Sequence, residues 1–145
     1  MKNERFLSQE DATILCRLAE HLLRMRDVTF NIAEQLIELI GSSILLPENA
    51  ERSDYVALYS EVTFREVGSM RLETIFLVCP QDTQDALARV SILSPIALAL
   101  LGRPLGSITA VTLPFFKVRY VEVVGIRHSN EDRHARTIAG AKRYA

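Results

Sequence analysis

Few residues in this chain have the type and spacing that chemistry needs. His128, Glu131, Asp132 and His134 cluster near the C-terminus, but their spacing matches no accepted metal-ligand pattern, and a solvated segment is the simpler reading. Cys16 and Cys79 are the only cysteines, too few for a disulfide framework. Each falls in an apolar pattern, which predicts structural thiols in a reducing cytosol. Asp27 stands between two short helical patterns with Arg24 and Arg26 beside it, so its charge is partly neutralised. Capping, or an ion pair with one of those arginines, accounts for it. There is no nucleophile with a base at a recognisable spacing, no glycine-rich phosphate loop, no zinc motif and no carboxylate pair in an apolar setting. These residues argue against an independent enzyme and call for no metal and no cofactor.

The elements that would position these residues start with a pair of helices. Ser8 followed by Asp11 reads as a capping box, and Ile14, Leu15, Leu18, Leu22 and Met25 recur at helical spacing, predicting a helix over Gln9 to Arg26. Asn31 and Glu34 read as a second box opening a helix from Ile32 to Ile40, with Gly41 as its stop. So short a connection predicts an antiparallel hairpin with Arg24, Arg26 and Asp27 at its tip. Residues 42–54 carry Pro47, Glu48, Asn49, Glu51, Arg52 and Asp54 and read as a linker, with Ile44, Leu45 and Leu46 seated against a core. Strand patterns follow over Val56 to Val67 and Arg71 to Cys79, joined around Gly68 and Ser69. Residues 81–88 read as a polar loop with room for one helical turn.

The most informative stretch is SILSPIALALLGRPLGS, from Ser91 to Ser107. Ser94 can cap a helix, Pro95 loses no bond at the first helical position, Gly102 suits the left-handed residue past the end, and Pro104 forbids continuation. The helix from Pro95 to Leu101, with Ile96, Leu98, Leu100 and Leu101 in it, has no polar face. Burial on all sides, wrapped by a sheet, is therefore expected. Further strands read from Ser107 to Leu113 and from Val118 to Ile126, around a turn holding Phe115 and Phe116. Two phenylalanines at a turn would leave large apolar area in water, so the rings either fold onto their own sheet or meet a partner or second copy.

Composition sets bounds on all of this. A chain of 145 residues suits one domain or one plus an appendage, and buries roughly 70% of its unfolded surface. Seventeen Lys+Arg against 18 Asp+Glu give a net charge of -1, without long-range attraction for phosphates or anionic membranes. Contact with DNA would be indirect. From residue 127 onward Arg127, Arg133, Arg136, Lys142 and Arg143 face only two acids, a modest bias toward an acidic partner. The N-terminus lacks an apolar signal core and no run approaches the ~18 residues of a membrane span. The expectation is a soluble, cytoplasmic protein with no membrane partner.

The segment SPIALALLGRPLGS closely resembles the signature of the C-terminal domain of the GreA/GreB transcript-cleavage factor family, carried here by Ser94, Pro95, Leu100, Leu101, Gly102 and Gly106. YVALYSEVTF, from Tyr55 to Phe64 and including Ser60, resembles a second family stretch, and the two lie at the family's spacing. The resemblance covers about Ile32 to Ile126 and is greatest to the family's short subtype, the regulators of nucleoside diphosphate kinase. It implies an α+β protein: a short helical hairpin over 1–41, a linker over 42–54, and an FKBP-like domain over 55–126 with an antiparallel sheet wrapped around one central helix. The basic tail over 127–145 exceeds the family pattern, and Ser129 and Asp132 in it read as caps of a short helix through Ile138 that Gly140 would end. It implies RNA polymerase as partner, docking at the secondary channel. Longer relatives hold a second magnesium ion with acidic residues at the coiled-coil tip, a role for which Asp27 beside two guanidiniums is poorly suited. Competition with cleavage factors, without cleavage stimulation, is the expected activity. Two alternatives stand: a module regulating another enzyme such as nucleoside diphosphate kinase, and an FKBP-like prolyl isomerase, which the absence of any Trp disfavours.

Overall fold

The computed structural model describes residues 4–25, 30–113, 115 and 117–128. Arg26, Asp27, Phe116 and the segment from Ser129 on lie outside the described residues. The elements run β1 (Phe6–Leu7), α1 (Gln9–Arg24), α2 (Phe30–Ser42), β2 (Ile44–Leu45), β3 (Glu61–Glu66), β4 (Leu72–Val78), β5 (Arg89–Ser91), α3 (Pro95–Leu100), β6 (Ile108–Thr112) and β7 (Val118–Arg127).

Helix α1 begins as its sequence requires, with the Ser8 hydroxyl accepting from the Asp11 amide at 3.0 Å. Ile14, Leu15, Leu18 and Leu22 bury one stripe against Ala33, Leu36 and Leu39 of α2. The strands flanking the helices pair with each other, Phe6 with Ile44 and Leu7 with Leu45. The residues before α1 and after α2 therefore share one end, and the two helices run antiparallel. Three expectations change here. Asn31 lies within α2 and does not cap it, because the helix already includes Phe30. Gly41 also lies within α2, which continues to Ser42, since a single glycine weakens a helix but does not end it where packing holds it. Ile44 and Leu45 are 44% and 57% exposed, held by the ladder to β1 instead of by a core.

The second half is a five-stranded sheet in the order β5-β4-β3-β7-β6. Strand pairs are antiparallel except β4 with β5, so the sheet is mixed and not wholly antiparallel as expected. The fold class is α+β, as read from the sequence. Strand β3 is shorter than the expected Val56 to Val67: Val56 to Ser60 form an irregular buried segment, because Tyr59 takes a left-handed φ of 61° that no strand allows. Two 3-10 turns occupy Pro80–Asp82 and Asp85–Leu87.

Val62, Phe64, Leu77, Val78, Val111, Val121 and Val123 face inward and close around Ala97, Leu100 and Leu101. Helix α3 is not buried on every side, since Ile96 and Leu98 are half-buried and Pro95 is exposed. The opposite face of the sheet carries the ion pair of Arg65 with Glu122 at 3.0 Å, whereas Arg119 pairs with Glu66 and Glu73 at 3.5 and 3.6 Å on the same face as Phe64 and Val121. Of the cysteines, Cys79 is buried and Cys16 is exposed on α1, so only Cys79 is a core thiol.

Candidate functional site

The site has two parts, a helical hairpin and the junction that fixes its direction. The junction forms at the C-terminal end of α3. Ser94 accepts from the Ala97 amide at 3.3 Å, Pro95 opens the helix, and Gly102 follows it with φ 80°. That conformation brings the backbone of Gly102 against the chain entering α1. The Phe6 amide donates to the Gly102 carbonyl at 2.8 Å and the Gly102 amide donates to Val56 at 2.7 Å. A Cβ at Gly102 would lie 2.9 Å from the Phe6 carbonyl oxygen, so only glycine admits this crossing. Gly106, with φ 86°, has open space around it and serves the turn alone.

Arg5 locks the same crossing. Its guanidinium donates to the carbonyls of Leu98 and Leu101 at 2.6 and 2.7 Å, a cation on the negative end of α3. Arg103 adds a longer contact to Ala99 at 3.4 Å. Burial, and then the neighbouring charge of Arg103, lower the pKa of Arg5 to about 10, which leaves it cationic at neutral pH. Burial likewise lowers that of Arg103.

Helix α1 contributes the third tie. Asp11 is fully buried and accepts from the Leu58 amide at 3.0 Å, across 47 residues of chain. Leu58 belongs to the turn that Ser60 closes, its hydroxyl donating to the Ala57 carbonyl at 2.6 Å and accepting from the Ala57 amide at 3.1 Å. Tyr59 next to it donates its phenol to Asp82. Burial, followed by that hydrogen bond, pushes the Tyr59 phenol well above its ordinary pKa. Arg5, Asp11 and Gly102 thus join hairpin and sheet through buried polar contacts, which are directional where apolar packing is not.

From this base the hairpin extends by about 24 Å along the 16 residues of α1 at 1.5 Å per residue. Its far end carries Arg24 in the last turn of α1, with Leu23 and Met25 exposed beside it. Arg26 and Asp27, which the sequence assigns to the tip, lie outside the described residues. The turn between β6 and β7 lies elsewhere, with Phe115 at φ 65° and 91% exposed. That ring does not fold onto its own sheet. Leu100 and Leu101, the last residue of α3 and its cap, are fully buried and anchor that end of the helix in the core. Of the sequence-identified residues, Leu101 and Gly102 stand at the junction with Leu100 just before them, Ser94 and Pro95 open α3 at its other end, Ser60 lies in the adjoining turn, and Arg24 and Phe115 lie apart from them.

Sequence reading missed Arg5, and it placed Asp11 in the cap with Ser8 without foreseeing its second task, the tie to Leu58. Asp11 falls three and four residues before Ile14 and Leu15, on the buried stripe of α1, and a carboxylate on that stripe must find a buried donor. That signal was present in the periodicity. Nothing comparable marks Arg5. Among the described residues no group of three His, Cys, Asp or Glu side chains could hold a metal ion, and no helix is long and apolar enough to cross a membrane. The arrangement is a helical hairpin tied to the sheet domain by directional polar contacts from Arg5, Asp11 and Gly102.

Its architecture and motifs are those of a two-helix hairpin joined to a sheet-and-helix domain, and comparison with known proteins identifies the group. The profile described as "Transcription elongation factor, GreA/GreB, C-term" matches residues 51–128, more than half of the chain. The chain belongs to the GreA/GreB transcription elongation factor family. Transcription elongation factor GreA of Bacillus anthracis is 30% identical over 93 residues, covering 64% of this chain and 58% of that protein. GreA of Geobacillus kaustophilus is 32% identical over 81 residues, covering 56% and 51%. The chain therefore aligns with only about half to three-fifths of the length of these curated relatives. The solved structure of a prokaryotic transcription elongation factor GreA/GreB from Nitrosomonas europaea aligns with a TM-score of 0.67 at 25% identity, covering 88% of this chain and 100% of that one.

Proposed function

We propose that this protein is an RNA polymerase-binding regulator of transcription elongation that docks at the mouth of the secondary channel, competes there with cleavage factors, and does not stimulate transcript cleavage. The observation that carries this reading is a short hairpin held in fixed direction on the family's domain by Arg5, Asp11 and Gly102. A factor that enters a channel must present its rod at a defined angle, because any swing at the base is magnified at the tip. With α1 about 24 Å long, reach into a deep channel is limited. Arg24 stands at the end of that rod, and Arg24 and Arg26 closely precede Asp27 in sequence. Holding a magnesium ion needs oxygen ligands, whereas guanidiniums repel the cation and compete for the carboxylate.

On this reading the protein is not an enzyme, acts in the cytoplasm where polymerase works, and contacts DNA only through polymerase. Phe115, nearly fully exposed, is a second contact surface, for polymerase or for another copy of the chain. The test is direct binding to purified core polymerase, with a cleavage factor as competitor and nucleoside diphosphate kinase as an alternative partner. Displacement of the cleavage factor supports the proposal. Binding to the kinase with none to polymerase overturns it and makes the chain a regulator of another enzyme.

A further inference from the structure

The five-stranded sheet ends on two unequal edges. Strand β5, at one of them, has three residues, begins with Arg89, and is bridged there by Gln84, whose amide and carbonyl both bond to Arg89, at 3.1 and 3.0 Å. A short, charged and covered edge does not recruit another strand. Strand β6, at the other edge, reads ITAVT, with no charge and no proline. Its pairing with β7 fixes which backbone groups stay outside. The Leu113 amide donates to the Lys117 carbonyl and the Val123 amide to the Ser107 carbonyl, so Thr109 and Val111, in phase with Ser107 and Leu113, face β7. Ile108, Ala110 and Thr112 then turn their amides and carbonyls away from the sheet, and all three residues are exposed. Among the described residues no strand pairs with that side of β6, and next to Thr112 lies an open groove of about 770 Å³ bounded by α2 and α3.

We propose that β6 is a self-association edge, on which a second copy of this chain adds its own β6 antiparallel and joins the two sheets across a two-fold axis at Ala110. Centred there, the strand is complementary to itself. Ala110 meets Ala110 of the second copy and Ile108 meets its Thr112, and each outward pair exchanges two hydrogen bonds, about six in all. No like charges come opposite each other, the feature that would otherwise forbid a strand from pairing with itself. The neighbouring side chains suit the same occupant. On the outer face Ala110 stands beside Tyr120 and Thr112 beside Val118, which are 56% and 48% exposed, while the charged residues there, Arg65 and Glu122, are already paired with each other. In the joined sheet the two Tyr120 side chains flank the alanine pair, and the apolar surfaces of both copies become one stripe. Selecting a foreign peptide on an edge takes pockets or charge along the strand, whereas Ile108, Ala110 and Thr112 present small and aliphatic side chains. An interface centred on five residues is small, so the dimer is reversible and forms in the micromolar range.

The experiment is sedimentation velocity on the full chain over a range of concentrations, with amide exchange followed by NMR on the same samples. The wild-type chain should move from monomer to dimer as concentration rises. The Ile108, Ala110 and Thr112 amides should gain protection with it, while Thr109 and Val111, already bonded to β7, stay unchanged. Ala110→Lys and Ala110→Glu each set like charges against each other at the axis and should weaken the dimer about fivefold or more, with the melting temperature unchanged because Ala110 is exposed. Mixed in equal amounts, the two variants set Lys against Glu and should recover association to within about twofold of wild type, which misfolded variants could not do. A wild-type chain that stays monomeric into the high micromolar range overturns the proposal. So does a dimer that both single substitutions leave intact, which assigns association to another surface. Protection of the three outward amides that does not change with concentration overturns it as well, since a segment of the same chain then covers the edge.

Discussion

Replacing Gly102 with alanine tests the junction at its tightest point. The new Cβ would lie 2.9 Å from the Phe6 carbonyl oxygen, 3.1 Å from the Arg5 Cβ and 3.2 Å from the Phe6 amide nitrogen. Two of these neighbours are backbone and cannot rotate away. Holding alanine at φ 80° costs about 1 kcal/mol or more, and moving Phe6 forfeits its hydrogen bond to Gly102 for about 1 kcal/mol, with further loss if Arg5 shifts off α3. The sum is about 2–4 kcal/mol, a drop in melting temperature of about 10 °C for a chain of this size. Gly106→Ala is the matched control: its φ is 86° and its Cβ meets open space, so only the backbone term applies, about 1 kcal/mol and about 3 °C. Gly41→Ala, inside α2 with nothing near its Cβ, should instead stabilise by about 0.5–1 kcal/mol. Thermal melts followed by circular dichroism read all three, and limited proteolysis reports whether the hairpin has come loose. Equal losses for Gly102→Ala and Gly106→Ala would refute the close crossing of Phe6.

Leu100→Asp places a carboxylate at a fully buried position walled by apolar side chains, and should cost more than about 4 kcal/mol and unfold the domain; a cooperative melt close to wild type would contradict its burial. Changing Phe115 and Phe116 to Gly and Asn should leave the fold intact, since Phe115 is exposed and Gly relaxes its left-handed backbone, while weakening self-association or polymerase binding several-fold; sedimentation and binding titrations that show no change would return the turn to a purely structural role. Tyr59→Phe addresses pH. Because the native phenol keeps its proton beyond the ordinary tyrosine range near 10, the unfolded chain releases protons first, and stability falls as pH rises above about 10, by up to about 1.4 kcal/mol per unit before discounting for partial exposure. The lowered pKa of Arg5 acts with the opposite sign above pH 10 and is shared by both proteins, so the difference between wild-type and Tyr59→Phe melts at pH 9 and 11 isolates the tyrosine. Parallel slopes would contradict its raised pKa.

The sequence was most readable where several local signals agreed. Helix α3 has a cap, an opening proline, an apolar interior and a left-handed glycine, and its observed bounds differ from the expected ones by a single residue. Elements of two or three residues were not readable in this way: β1 and β2 are too short to show a period, and they exist because the hairpin's base brings them together. Parallel pairing of β5 with β4 is likewise a tertiary outcome, since a three-residue strand carries no mark of direction. Gly41 misled because a stop signal was read without knowing that α1 packs beside it. For the candidate site, the glycine and the serine cap were visible, but the partners that give them meaning, Arg5 and the Phe6 backbone, are almost a hundred residues away in sequence.

Transcript cleavage by stalled polymerase tests the central claim most directly. Purified stalled complexes with end-labelled RNA are incubated with the protein, with a known cleavage factor, and with both. Binding without catalytic completion predicts no shortening of the RNA by the protein alone and reduced cleavage when it competes with the active factor, to an extent set by their relative affinities. Shortening that depends on this protein and is lost with Asp27→Asn would contradict the account and make it an active cleavage factor.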